Sequence, residues 1–157
     1  MQTSLRSQKH VLDAIDIEIV KAVASDARIS LAALARAVGL SAPSVSERLR
    51  RLEDVGAITG YRAEVNPEAL GMPLSAYLRI RPIPGQLKAV ANLVQNLPEI
   101  VSCDRVTGED CFIARAHLRS VAELEMLIDR INPYAMTNTS IVQSSPVHPR
   151  LPPLEAR

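Results

Sequence analysis

Aromatic residues are scarce in this sequence, which has no tryptophan, one phenylalanine and three tyrosines among 157 residues. A protein that binds single-stranded nucleic acid through base stacking needs several aromatic side chains close together, so this class is disfavoured. The formal net charge is only +1, which excludes an overall polycation. Any contact with nucleic acid must therefore come from a local basic patch.

Cysteines and long apolar stretches are also few. Cys103 and Cys111 are too few for a disulfide scaffold, and no cysteine–histidine cluster has the spacing of zinc ligands. No apolar run approaches the length of a membrane-spanning helix, and the N-terminal residues lack the apolar core of a signal peptide. We therefore expect a cytoplasmic protein with no metal, no cofactor and no membrane partner.

Helical spacing of apolar residues dominates the first half of the chain. Asp13, Ser30 and Ser41 each precede such a stretch and are suited to cap three successive helices. Gly39 predicts a tight turn between the second and third helices, because a residue without Cβ adopts a left-handed conformation at little cost. Two short helices joined in this way have the spacing of a helix-turn-helix. Residues 57–65 are expected to form a two-stranded wing.

Alternating apolar residues appear after Gly71 and predict β-strands between helical segments. Ser120 and Glu123 are expected to form a capping box at the start of one helix. The predicted strands are 74–81, 100–107, 111–118 and 137–143, with helices at 86–97 and after Ser120. This β-α-β-β-α-β order is that of ferredoxin-like folds.

The predicted fold class is α+β, with an N-terminal winged helix-turn-helix followed by a C-terminal βαββαβ domain. The tail is rich in proline and has little to bury, so it is expected to be extended. The expected divisions are a flexible arm (1–11), a DNA-binding domain (12–65), a linker (66–73), an effector-binding and oligomerisation domain (74–143) and the tail (144–157).

The third helix carries the strongest functional signal. With Val45, Leu49 and Leu52 directed inward, its other face is rich in serine and arginine, which contact phosphates and guanine edges in a major groove. The arginines could instead form only a solvated face, but their position after a short helix and a glycine turn favours DNA binding. The predicted DNA-binding residues are Ser41, Pro43, Ser44, Ser46, Glu47, Arg48, Arg50 and Arg51. Of these, Arg50 is expected to contact bases, and Arg48 and Arg51 phosphates.

Seven short segments form an ordered series along residues 12–143. They are LDAID at 12–16, DARIS at 26–30, LS at 40–41, VSERLRRLE at 45–53, GAITGY at 56–61, NPEALG at 66–71 and VTGED at 106–110. In this order they resemble the leucine-responsive regulatory protein/AsnC (feast–famine) family of transcriptional regulators. The series is much more specific than any one of its segments.

The resemblance implies a regulator of transcription that binds double-stranded DNA. It implies dimers that form through the sheet and assemble into tetramers or octamers, with an amino acid or related metabolite bound between subunits. Family members line the effector pocket with a glycine-acid turn and the last strand, which here are Gly108, Glu109, Asp110, Cys111, Thr137, Thr139 and Ser140. Many members carry aspartate at the position of Cys111, so the effector's amino group is expected to be held differently here.

Two alternative functions remain at this stage. One is a DNA-architectural protein of the same fold without an effector, in which Gly108 only permits a hairpin and the adjacent acids are solvated. The other is a ferredoxin-like enzyme with Cys111 as nucleophile and His117 as base. Six residues along one strand place these two groups about 20 Å apart, beyond hydrogen-bond reach, so we predict that the protein is not an enzyme.

Overall fold

The computed structural model describes residues 12–155, which divide into two compact units. The first unit contains the residues up to Glu64 together with those from His148 onward, and the second is Val65–Val147. The predicted flexible arm, residues 1–11, lies outside the described residues. None of the helices in the described part of the chain is long and apolar enough to span a lipid bilayer.

Three helices form the first unit: α1 (Ala14–Ser25), α2 (Leu31–Val38) and α3 (Ala42–Asp54). Their N-caps are the predicted residues Asp13, Ser30 and Ser41, whose side chains accept hydrogen bonds from backbone N–H groups three residues later. Gly39 ends α2 with a φ of 69° in the left-handed region, as predicted. The core of this unit is made of the buried residues Ile19, Val20, Val23, Leu34, Ala35, Val45, Leu52 and Ile58.

The predicted two-stranded wing is wrong, because the structure has no strand in residues 57–65. After Gly56, which has a φ of 72°, the backbone N–H of Ile58 donates to the carbonyl oxygen of Leu52 at 3.0 Å. The side chain of Ile58 is buried in the core. The first arm of the expected hairpin is therefore fixed to the end of α3, and residues 61–65 are exposed without a strand partner.

The second unit is a four-stranded antiparallel sheet covered on one face by two helices. After a short 3-10 turn at Glu68–Leu70, its elements are β1 (Leu74–Pro82), α4 (Leu87–Gln95), β2 (Ile100–Arg105), β3 (Phe112–Leu118), α5 (Val121–Ile131) and β4 (Ala135–Ile141). The strand order is β2-β3-β1-β4, the topology expected of a βαββαβ fold.

Alternation along β1 separates the two faces of the sheet. Ala76, Leu78 and Ile80 are buried in one cluster with residues of α4 and α5, whereas Tyr77 and Arg79 are exposed on the opposite face. We call that opposite face the open face. It also carries Ile113 and Arg115 of β3, which pair with Arg79 and Tyr77. The outermost strands, β2 and β4, each have one unpaired edge.

Two local predictions for this half need correction. Ser120 caps α5 as predicted, but the carboxylate of Glu123 accepts from the N–H of Arg119 at 2.8 Å, not from that of Ser120. Up to residue 155 the tail contains no helix or strand. The prediction that the tail has little to bury is wrong. Leu154 packs against the core of the first unit, since the chain returns there after β4.

Candidate DNA and effector sites

The N-terminal half of α3 presents a polar surface to solvent. The side chains of Pro43, Ser44, Ser46, Glu47 and Arg50 are exposed, whereas Val45 is fully buried and holds the helix in the core. Ser41 and Ser44 share a hydroxyl–hydroxyl hydrogen bond of 2.8 Å at the start of the helix. A shallow depression of about 610 Å³ lies beside these residues and is lined by Leu40, Ser44, Glu47, Arg48, Arg50, Arg51 and Asp54.

Two of the three predicted DNA-binding arginines are engaged within the first unit. Arg48 donates to Asp13 at 2.6 Å and to Asp16 at 2.9 Å. Arg51 donates to both carboxylate oxygens of Asp16, at 2.7 and 2.8 Å. The carboxylate of Asp16 is almost fully buried, so these two guanidinium groups provide its charge partners.

This network ties α3 to the N-terminus of α1. The hydrogen bond from Arg48 holds the pKa of Asp13 below its usual value, and the two carboxylates raise the pKa of Arg48. Asp13 and Asp16 also form a reciprocal capping box at the start of α1. Arg50, by contrast, makes no salt bridge or side-chain hydrogen bond with any residue of 12–155, and it is exposed.

Asp16 is the residue of this site that the sequence analysis missed. Its position in the first turn of α1, three residues after an aspartate that caps the helix, does predict a capping box. Its burial was not predictable from that pattern, because its charge partners lie thirty-two and thirty-five positions later in the chain.

The glycine-acid turn connects β2 to β3. Gly108 has a φ of 111°, a conformation that side-chain-bearing residues rarely adopt, and the N–H of Val106 donates to the carbonyl oxygen of Cys111 at 2.9 Å. Both acids of the turn pair with Arg81 at the end of β1: Glu109 at 2.7 Å and Asp110 at 3.3 Å. Arg81 was absent from the predicted site residues, and only the pairing of β1 with β3 brings it to the turn.

The structure does not bring the predicted β4 residues to this turn within one chain, because β1 lies between β3 and β4 in the sheet. Thr137 and Thr139 pair with Ile80 and Leu78 and lie on the helix-covered face. The hydroxyl oxygen of Thr139 is buried and has no hydrogen-bond partner among the described residues. Ser140 pairs with Tyr77 and lies on the open face. The three residues therefore occupy both faces of the strand.

Cys111 and His117 make local polar contacts, and Cys103 of β2 is half-buried. The thiol of Cys111 lies 3.8 and 3.7 Å from the carbonyl oxygens of Gly108 and Glu109. Burial raises the pKa of the Cys103 thiol, with a further contribution from Asp104. His117 shares a 2.7 Å hydrogen bond with Ser75, and burial together with Arg115 lowers its pKa. Residues 12–155 contain no cluster of potential metal ligands.

Known protein families match segments in both halves of the chain. Residues 12–53 match the AsnC-type helix-turn-helix domain, and residues 75–152 match the Lrp/AsnC ligand binding domain. The chain is similar to the HTH-type transcriptional regulator LrpC of Bacillus subtilis, with 35% identity over 133 residues, 85% of this chain and 92% of that protein.

Two solved structures with similar folds contain an amino acid. One is a feast or famine regulatory protein from M. tuberculosis complexed with L-methionine, with a TM-score of 0.83 and 36% identity, covering 89% of this chain and 97% of that one. The other is a transcriptional regulator from Neisseria meningitidis complexed with L-methionine. Its TM-score is 0.82 at 25% identity, and the match covers 87% of this chain and 93% of that one.

Proposed function

Because this chain belongs to the Lrp/AsnC family and is a DNA-binding transcriptional regulator of that type, we propose that it reads DNA with the exposed face of α3 and responds to an amino acid bound between subunits. The observation that carries the DNA part is the contrast among the arginines of α3. Arg50 is exposed and unpaired among the described residues, whereas Arg48 and Arg51 hold α3 against α1.

In this proposal Arg50 contacts a base edge, Ser44 and Ser46 contact neighbouring bases or phosphates, and Glu47 accepts from a base. A guanidinium that has no partner among residues 12–155 is available for a bidentate contact with guanine. Arg48 and Arg51 act on DNA mainly by fixing the orientation of α3, since contact with phosphate would require them to share or leave the carboxylate of Asp16. Pro43 is the second residue of α3, in the first turn after Ser41, where the N-terminus of the helix favours a phosphate.

The effector part of the proposal rests on Arg81 and the two turn acids. These ion pairs are largely exposed, so each contributes little stability and is readily exchanged. A zwitterionic amino acid can place its carboxylate on Arg81 and its ammonium on Glu109 or Asp110, which conserves the number of ion pairs. Cys111 has no carboxylate, and Glu109 and Asp110 take over the role of counter-charge.

The open face of the sheet supports a dimer. It exposes Tyr77, Ile113 and Met136, while the opposite face is covered by α4 and α5. A second subunit is the natural cover for such a face. Residues of β4 from a neighbouring subunit would then complete the effector site, because β4 of the same chain is separated from the turn by β1. Larger assemblies of dimers belong to the same proposal.

The experiment that tests the function is to sequence the genomic DNA fragments that the protein retains at moderate salt, with and without L-methionine or a mixture of amino acids. We expect fragments that share a pseudo-palindromic motif and whose retention changes with an amino acid. Enrichment of a motif with no change in retention would favour the architectural alternative. Retention without any shared motif would contradict sequence-specific regulation.

A further inference from the structure

The first unit has a groove that is bordered by a segment from the far end of the chain. The groove is lined by Val20, Val23 and Ala24 of α1, by residues 57–62 after α3, and by Leu151. Three residues further on, Leu154 packs against the core cluster of this unit and is half-buried. The groove lies at the C-terminal half of α1, whereas the arginine–aspartate network lies at its N-terminus.

The segment that borders this groove, residues 148–155, is suited to bind as an extended strip. Pro149, Pro152 and Pro153 restrict its backbone before it binds, which lowers the entropy lost on docking. Within residues 12–155, no backbone hydrogen bond outside the helices and strands involves this segment. Its attachment therefore depends on the two leucine side chains, of which Leu151 remains 41% exposed.

We propose that residues 148–155 are a releasable strap, and that docking of this strap in the groove restrains the DNA-binding unit. The chain passes between the two units twice, once after Glu64 and again after Val147. The second passage follows β4 directly, so the docked strap links that strand to α1. A unit held by two connections moves less freely than a unit held by one. Release of the strap therefore frees the DNA-binding unit without altering its recognition helix.

Limited digestion with trypsin tests docking itself. The Arg150–Leu151 bond lies inside the strap, and its cleavage requires the segment to leave the groove. We expect Leu154→Ser to accelerate cleavage at this bond by about tenfold, measured by mass spectrometry as loss of the residues after Arg150. The matched control is Val147→Ser, which removes an apolar side chain that is 61% exposed. Equal cleavage rates in wild type and Leu154→Ser would overturn the docking.

DNA binding tests the restraint, and this arm rests on the proposed function. Affinities are measured for fragments with two half-sites and with one, chosen from the DNA that the wild-type protein retains. A freed unit still binds one half-site, but it aligns less well with two. We expect Leu154→Ser to weaken binding to paired half-sites about fivefold and to leave single half-site binding unchanged. An equal loss on both fragments, or no loss on either, would overturn the restraint.

Failure of the proposed function would have a different signature. A wild-type protein that retained no specific DNA would contradict the DNA-binding proposal, while the trypsin comparison would still decide whether the strap docks. Circular dichroism of Leu154→Ser provides the folding control, and Leu151→Ser is a second variant. Because Leu151 is more exposed, we expect it to accelerate cleavage less than Leu154→Ser.

Discussion

The guanidinium of Arg51 donates two hydrogen bonds, at 2.7 and 2.8 Å, to the carboxylate of Asp16, which lies thirty-five positions earlier and is almost completely buried. A buried carboxylate is tolerated only when it is paired and hydrogen-bonded. Helix α3 therefore provides the groups that allow α1 to bury its acid. Arginines that a sequence pattern assigns to DNA are here part of the fold.

Replacing Arg48 with methionine should destabilise the first unit. The substitution keeps most of the apolar stem but removes donors to Asp13 and Asp16, leaving the buried carboxylate with Arg51 as its charge partner. We expect a loss of about 1–3 kcal/mol in the free energy of unfolding, measured with urea. Arg50→Met is the control and should change stability by less than about 0.5 kcal/mol. Equal stability of the two variants would contradict the structural role of Arg48.

Arg50→Ala should impair DNA recognition without affecting the fold. If the guanidinium reads a base, its loss should cost about 1–3 kcal/mol of binding free energy and relax specificity at that base pair. The measurement is a binding titration against the preferred DNA and against variants with single base changes. Undiminished affinity and unchanged base preference would place the reading contact elsewhere on α3.

Arg81→Gln should weaken the binding of an amino-acid effector. The variant removes the cation that is expected to receive the effector carboxylate, while the turn keeps both of its acids. Calorimetry with L-methionine should show at least about tenfold weaker binding, consistent with the loss of a charge-assisted contact. Arg79→Gln, on the same strand and face, is the control. This design avoids changing Gly108, where any side chain would strain the backbone at its φ of 111°.

A charge on the open face of the sheet should disrupt the dimer. Ile113→Asp would bury a carboxylate at the proposed interface, where it costs far more than in water. Light scattering at micromolar concentration should then report a smaller assembly than wild type. Val121→Asp is the control, since Val121 is exposed at the start of α5. A wild-type protein that is already a monomer would contradict the interface itself.

Protonation of His117 should destabilise the sheet unit below neutral pH. Burial and the nearby Arg115 lower the pKa of His117 below its usual 6.5, so the unfolded chain takes up the proton more readily than the folded one. The contribution of neutral His117 to the stability of the folded state is complete above pH 6.5. It is lost as the pH falls through the lowered pKa of His117 in the folded protein. The urea midpoint of unfolding is measured from about pH 4.5 to about pH 7.5, a range set around the usual pKa of histidine. The midpoint should vary less with pH in His117→Gln than in wild type. If the midpoints of the two proteins changed equally with pH, the assignment of this pH dependence to His117 would be contradicted.

The features that the sequence predicted well depend on neighbours along the chain. Asp13, Ser30 and Ser41 cap their helices through bonds that span three residues, and Gly39 turns the chain through its own φ. Alternation predicted which face of β1 is buried, because the side-chain period of a strand is two. The β-α-β-β-α-β order of elements along the chain followed from the same alternating and helical spacings of apolar residues.

The features that the sequence did not predict join distant parts of the chain. Arg81 and Asp110 are twenty-nine positions apart, and only the β1–β3 register places them together. The wing prediction did not foresee that Ile58 would be buried in the helical core. Leu154 was assigned to an extended tail with little to bury, because the core that it packs against is made of residues near the other end of the sequence, up to Ile58.

The assembly of the first unit from two stretches of chain affects the order in which the protein can mature on the ribosome. The three helices are synthesised first, but residues 148–155 follow only after the whole of Val65–Val147. Domains tend to fold as they emerge, so a nascent helix-turn-helix must wait with its groove uncovered while the sheet unit is made. A messenger RNA truncated within that interval yields a DNA-binding unit that lacks Leu154, and such a product should be more readily degraded by proteases than the same helices within the longer chain.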